Sequence, residues 1–210
     1  MPSFPLFGRP KKENSSGPVE WLIVGLGNPG QKYLETRHNA GWHLLDTVVK
    51  ENSHFRFDEN RNKGLIARGE LVGVRVALVK PQTFMNLSGE AVGPIARFYK
   101  VPVERVLVAF DDLDLPLAAL RVRSKGGAGG HKGMLSLIQQ LGTENFPRVR
   151  LGIGRPAGSS MPVEAYVLQK FKPEEWAAMV VTYERGVEAI KAILTEGLDY
   201  AMNHFNGKDV

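Results

Sequence analysis

Residues 21–46, WLIVGLGNPGQKYLETRHNAGWHLLD, place Gly25, Gly27 and Gly30 at G-x-G-x-x-G spacing directly behind an apolar run. In a dinucleotide-binding turn that spacing opens a helix, whose first N–H groups face a pyrophosphate. Here Asn28-Pro29 forms a turn pair between the glycines, and the next helical stripe starts only near Asn39. The acidic residue that a ribose needs about 20 residues on, at the end of a second strand, is missing; Asp46 stands at that distance but on the helical pattern. The glycines are therefore expected to bring a strand end close to neighbouring backbone. Asn28 is expected to stand exposed at the carboxyl edge of the sheet, where open α/β sheets bind ligands.

Outward from this stretch, VRVALVK (74–80), RVLVAFDD (105–112) and RVRLGIG (148–154) read as strands, the second apolar enough to be central. Helical periodicity marks 39–50, 88–100, 131–141 and 174–196. Strands interleaved with helices predict a single α/β domain with a mainly parallel or mixed sheet over residues 20–205. Residues 1–19, rich in Pro, Lys and Ser without periodicity, predict a flexible extension. A chain of 210 residues suits one sizeable core. No cysteine is present, which removes disulfides, thiolate metal sites and cysteine nucleophiles and suits a reducing compartment. The excess of 27 basic over 22 acidic side chains means little unless the cations gather on one face, where they would meet phosphates.

Four loops carry the candidate chemistry. TRHNAGW sets His38 just before a helix, whose N-terminus favours the neutral imidazole. KPQTFMNLSGE (80–90) leads through Phe84, Met85 and Asn86 into a helix, and FDDLDLP (110–116) ends the most apolar strand in three carboxylates. Each has an ordinary structural reading as core, cap or solvated strand exit. Together, three strand ends of one sheet deliver Asn28, His38, Asn86 and an aspartate of FDDLDLP to one rim. A histidine, a carboxylate and two amides are the parts for base-catalysed attack of water on a carbonyl. The fourth loop, RVRSKGGAGGHKG (121–133), lacks the spacing of a nucleotide-binding P-loop. Arg121 and Arg123 share one strand face, as do Arg148 and Arg150, and these pairs suit phosphate contacts.

Taken in order, GLGNPGQKYLETRHNAGW, KPQTFMNLSGEAVGP, DDLDLP, GGAGGHKGMLSLI and FPRVRLGIGRP resemble the bacterial-type peptidyl-tRNA hydrolases over residues 20 to 205. The resemblance implies a monomer with a twisted mixed sheet, mostly parallel, surrounded by helices. It implies hydrolysis of the ester between a peptide and the terminal ribose of tRNA, with no metal or organic cofactor, in cytoplasm or organelle stroma. It puts His38 at the general base and Asp111 at its paired carboxylate, with Asn28 telling blocked from unblocked aminoacyl groups. Tyr33, Phe84, Met85 and Asn86 match positions lining the peptide and terminal-nucleotide site, and Arg123 and Arg150 match a clamp on the tRNA 5′ phosphate. The chain departs from the family in GGHKG, where Lys132 replaces the usual asparagine, and in LPLAA, which lacks the usual glycine. A Lys132 pointing into the site would disfavour protonated His38 and attract phosphate; one pointing to solvent would leave another group to replace the amide.

Two further readings compete. One is an RNA-binding protein without hydrolysis, like plastid intron-splicing factors of similar sequence. The other takes Asp111, Asp112 and Asp114 as a magnesium site of a nuclease.

Overall fold

The computed structural model describes residues 17–156 and 161–207. The extension expected over residues 1–19 lies, up to residue 16, outside them. The apolar run of the opening stretch forms β1 (Trp21–Gly25), which is hydrogen-bonded in parallel to β4 (Val74–Pro81) on one side and β5 (Val106–Asp112) on the other. Parallel β7 (Arg148–Gly152) follows β5. Antiparallel strands finish both flanks: β3 (Gly64–Leu71) and β2 (Glu59–Arg61) beyond β4, and β6 (Leu120–Arg123) beyond β7. The seven-stranded order is β2-β3-β4-β1-β5-β7-β6. Every residue of β5 is buried, as its unbroken apolar run requires of a strand covered on both faces.

Helices α1 (Ala40–Glu51), α5 (Pro173–Thr195) and α6 (Leu198–Phe205) cover one face, packing Leu44, Leu45, Val187, Ile190 and Ala201 on the sheet. Helices α2 (Ser88–Tyr99) and α3 (Lys132–Leu141) cover the other with Val92, Ile95, Met134 and Leu137. A short helix, α4 (Val163–Val167), closes one end. No helix among the described residues is long and apolar enough to cross a membrane. β1 leads to α1 on one face and neighbouring β4 leads to α2 on the other, so the connections diverge at their carboxyl ends.

The glycines serve close approach, as their spacing without a helix suggested. A Cβ on Gly25 would lie 2.3 Å from the Gly41 carbonyl oxygen, and one on Gly41 would lie 2.3 Å from that of Ala109. The first turn of α1 thus rests main chain to main chain on β1 and β5. The β3–β4 hairpin escaped the sequence reading for a physical reason. Its two-residue turn is Val72-Gly73 at φ 47° and 82°, and a β-branched residue in the left-handed region gives no turn signal.

Candidate active site

A 3-10 turn, Arg37–Asn39, carries His38 into α1, and β5 brings Asp111 beneath it. His38 Nδ1 lies 3.0 and 2.9 Å from the two oxygens of Asp111, whose side chain is 2% exposed. The second partner of Asp111 is His131, the N-cap of α3. Its Nδ1 accepts the Met134 N–H at 3.2 Å, so its proton sits on Nε2 and is donated to Asp111 Oδ1 at 3.1 Å. A carboxylate only accepts, so His38 Nδ1 carries a proton too, and its Nε2 is left with a bare lone pair. His38 lines a cavity of about 510 Å³, together with His131, Lys132, Arg123, Arg150 and the glycine-rich loop.

The electrostatics follow from these contacts. Burial alone would raise the Asp111 pKa, but the two imidazoles outweigh it and hold this carboxylate well below the usual range. For His38, burial pulls down while the charge and hydrogen bond of Asp111 pull up; the net is a base above its ordinary value, with Lys132 working against the rise.

The anticipated residues divide into two groups. Arg123, Arg150 and Lys132 stand with His38 and Asp111 in the cavity wall. Arg123 is exposed and has no ion-pair partner among the described residues. Arg150 Nε donates to Asp112 Oδ2. The Lys132 ammonium lies 3.5 Å from Glu164 of α4, both side chains largely exposed. Tyr33, Phe84, Met85, Asn86 and Asn28 lie outside that wall. Phe84 and Asn86 are exposed, Tyr33 is half-buried under the Lys32 ammonium, and Met85 packs in the core.

Three expectations need correction. Asn28 is buried, not exposed: its Oδ1 accepts the Met85 N–H at 2.8 Å, and its own N–H donates to Asn39 Oδ1 at 2.8 Å. It is a strut between the ends of β1 and β4. Arg148 is not available to phosphate. It is buried, its guanidinium donates to the carbonyls of Gly126, Gly127 and Glu144, and desolvation pulls its pKa down to about 10. Asp111, Asp112 and Asp114 do not converge on one ion, because each has its own partner: His38 and His131, Arg150, and Arg155.

Sequence reasoning passed over His131, although GGHKG contains it. A histidine before a helix reads as a cap, which it is; its second bond, to Asp111, is visible only in three dimensions. His38, Asp111 and His131 also have the composition of a metal site, with donor atoms within 4.8 Å of one another. An ion there would have to displace the His131 Nε2 proton that the Met134 N–H fixes in place.

Comparison with known proteins bears on this geometry. Residues 22–210 match the model of a family described as peptidyl-tRNA hydrolase. The peptidyl-tRNA hydrolase of Chloroflexus aggregans is 50% identical over 187 residues, spanning 89% of this chain and 98% of that protein. A chloroplastic peptidyl-tRNA hydrolase of Arabidopsis thaliana is 45% identical over 200 residues, 94% of this chain and 69% of that one. The crystal structure of the Acinetobacter baumannii peptidyl-tRNA hydrolase superposes with a TM-score of 0.85 at 34% identity, covering 90% of this chain and 96% of that one.

Proposed function

This chain belongs to the peptidyl-tRNA hydrolase family, and from that premise we infer how its own residues perform the reaction. Hydrolysis of peptidyl-tRNA is its activity, and a non-hydrolytic RNA-binding role is not favoured. His38 takes a proton from water at Nε2 while the water oxygen bonds to the ester carbonyl carbon. Asp111 stabilises the imidazolium that forms through the Nδ1 hydrogen bond. The tetrahedral intermediate then collapses, the bond to the tRNA ribose oxygen breaks, and the imidazolium returns the proton to that oxygen. The products are a peptide carboxylic acid, which releases its proton to solvent, and a free tRNA hydroxyl. No step calls for a metal or organic cofactor.

The observation that carries this reading is the His38–Asp111 contact, with the bare Nε2 on a cavity flanked by cations. Asn28 supports discrimination in a specific way. Its Oδ1 is spent on Met85, so its Nδ2 donor is the side-chain group left for substrate. A blocked amino group offers that donor a carbonyl, whereas a free ammonium offers only donors. Asn86 holds water or the developing oxyanion, and the exposed ring of Phe84, with Tyr33 and Met85, receives the terminal nucleotide and peptide. Arg123, which has no ion-pair partner among the described residues, takes the 5′ phosphate of the acceptor stem, with Arg150, held by Asp112, in the same cavity wall and Lys132 adding charge at the mouth. The enzyme works as a monomer in cytoplasm or organelle stroma.

Peptide release from N-acetylated aminoacyl-tRNA tests the assignment. His38→Ala is expected to lower turnover by about 10²–10⁴ while leaving tRNA affinity intact. Turnover like that of the unsubstituted enzyme would remove His38 from the mechanism.

A further inference from the structure

Arg37, beside the base, has no part in the chemistry above, yet its surroundings are more elaborate than those of any cation at the rim. Its side chain is 4% exposed. One terminal nitrogen donates to the Lys170 carbonyl at 2.9 Å and the other to Glu175 Oε2 at 2.6 Å. The same carboxylate oxygen accepts the Lys172 N–H, so Arg37 is tied into the capping of α5. The guanidinium lies over two rings, 4.4 Å from the centroid of Tyr166 and 5.3 Å from that of Phe171. The Arg37 backbone N–H bonds to the Gln169 carbonyl at 3.0 Å, and Thr36 forms an isolated antiparallel bridge with Lys170.

Tyr166 carries the connection onward. Its hydroxyl donates to the Ile153 carbonyl at 2.8 Å, and the Ile153 N–H donates to the Asp112 carbonyl at 3.0 Å. Asp112 adjoins Asp111, and Asp111 bonds to His38. The contacts therefore close a ring: His38, Arg37, Tyr166, Ile153, Asp112, Asp111 and back to His38. We propose that Arg37 is a positioning residue, which through Tyr166 and Glu175 holds the 3-10 turn of the base in register with the strand of its carboxylate. The proposal rests on His38 being the base. It assigns a catalytic consequence to a side chain directed away from the cavity and absent from its wall.

Adjacent side chains on a 3-10 turn point about 120° apart, so a force on one rotates the other about the same short axis. With Arg37 anchored, the turn cannot rotate the His38 backbone away from Asp111 without breaking the carbonyl bond, the ion pair and the ring contacts together. A lysine reproduces the charge but not the planar fork that makes them all at once. The groups facing His38 are Asp111 on β5, His131 before α3 and Lys132 at the start of α3; the charge of Asp111 in turn acts on Tyr183 of α5. Asp111 is the one that raises the His38 pKa, so a loosened register weakens its pull and lowers that pKa.

The test uses the full chain bearing Arg37→Met, Arg37→Lys or Tyr166→Phe. Measurements are kcat and KM on N-acetylated aminoacyl-tRNA, the thermal midpoint, and the His38 titration followed by histidine NMR. For Arg37→Met the expected result is a kcat at least about tenfold lower with KM within about twofold, and a His38 titration moved to lower pH. Arg37→Lys fails to restore either, and Tyr166→Phe shifts both in the same direction by less. A lower thermal midpoint with unchanged kcat and titration would overturn the proposal, leaving Arg37 as packing alone. If Arg37→Met does not fold, Tyr166→Phe decides by the same two readouts. Failure of the base assignment is told apart by His38→Ala, which would then stay active whatever the titration shows.

Discussion

Asp111→Asn keeps the shape of a buried side chain and removes its charge, and the protons already placed around it decide the outcome. His131 must donate, because its Nδ1 is taken by the Met134 N–H. The amide oxygen of the variant therefore stays on the Oδ1 side, and its NH2 falls where Oδ2 stood, 2.9 Å from His38 Nδ1. Accepting from that NH2 moves the ring proton to Nε2 and takes the lone pair out of the cavity, whereas donating to the amide oxygen 3.0 Å away would set the Nδ1 proton against the NH2. Turning the amide over instead aims its NH2 at the His131 N–H and leaves buried donors unpaired, at about 1–3 kcal/mol. Loss of the carboxylate also removes a charged hydrogen bond to the imidazolium, worth about 1.5–3 kcal/mol. The sum is about 2.5–6 kcal/mol, or a fall of about 10²–10⁴ in turnover. Single-turnover release of N-acetylated amino acid from tRNA, across pH about 5.5 to 8.5, measures it. Adding His131→Leu frees the amide to turn over and recovers at least about tenfold of the loss. Asp111→Asn activity within about threefold of the parent would refute tautomer control by this cluster.

Lys132→Asn removes a cation that lowers the His38 pKa, so the acid limb of the pH–rate profile moves to higher pH; Glu164→Gln frees that cation and moves it to lower pH. Both displacements stay under about 0.7 pH unit, the limit for two charges at contact distance in water, and shifts of the same sign would contradict the pairing. Arg123→Ala weakens all tRNAs alike and flattens the slope of log affinity against log salt by about 0.9; an unchanged slope places Arg123 outside the interface. His43 tests stability. Burial pulls its pKa from 6.5 to about 4, so the unfolded chain binds more protons between those values and stability falls as pH falls through the window. The loss is about 2 kcal/mol by pH 5, and urea unfolding of His43→Leu at pH 7 and 5 should lack that component.

The parallel core was legible because it rests on a local signal, an unbroken apolar run ending in carboxylates; a polar turn before a helical stripe marked His38, and the resemblance chose Asp111 among the carboxylates as its partner. Strand alternation paired Arg121 with Arg123 and Arg148 with Arg150, and the family resemblance singled out Arg123 and Arg150, which stand in the cavity wall. Alternation assigns a side, however, and not what folds over it; the loop through Gly126 and Gly127 wraps Arg148 and makes it structural. Polarity at a strand end suggested that Asn28 was exposed, yet the Met85 N–H and Asn39 amide satisfy it and allow burial. The direction of Lys132 depends on Glu164, 32 positions along the chain. The role of Arg37 depends on helices that meet it only after folding, so TRHNAGW displays a cation without its use.

Contact between Gly25, Gly41 and Ala109 leaves no gap at the seam of β1, α1 and β5 that even a methyl group could occupy. Side chains on either face of the sheet can exchange volume with one another and the seam will not feel it, since its stops are peptide units of fixed dimensions. The proton path is thus insulated from drift in the apolar layers, and homologues with quite different interiors can keep the same spacing between imidazole and carboxylate.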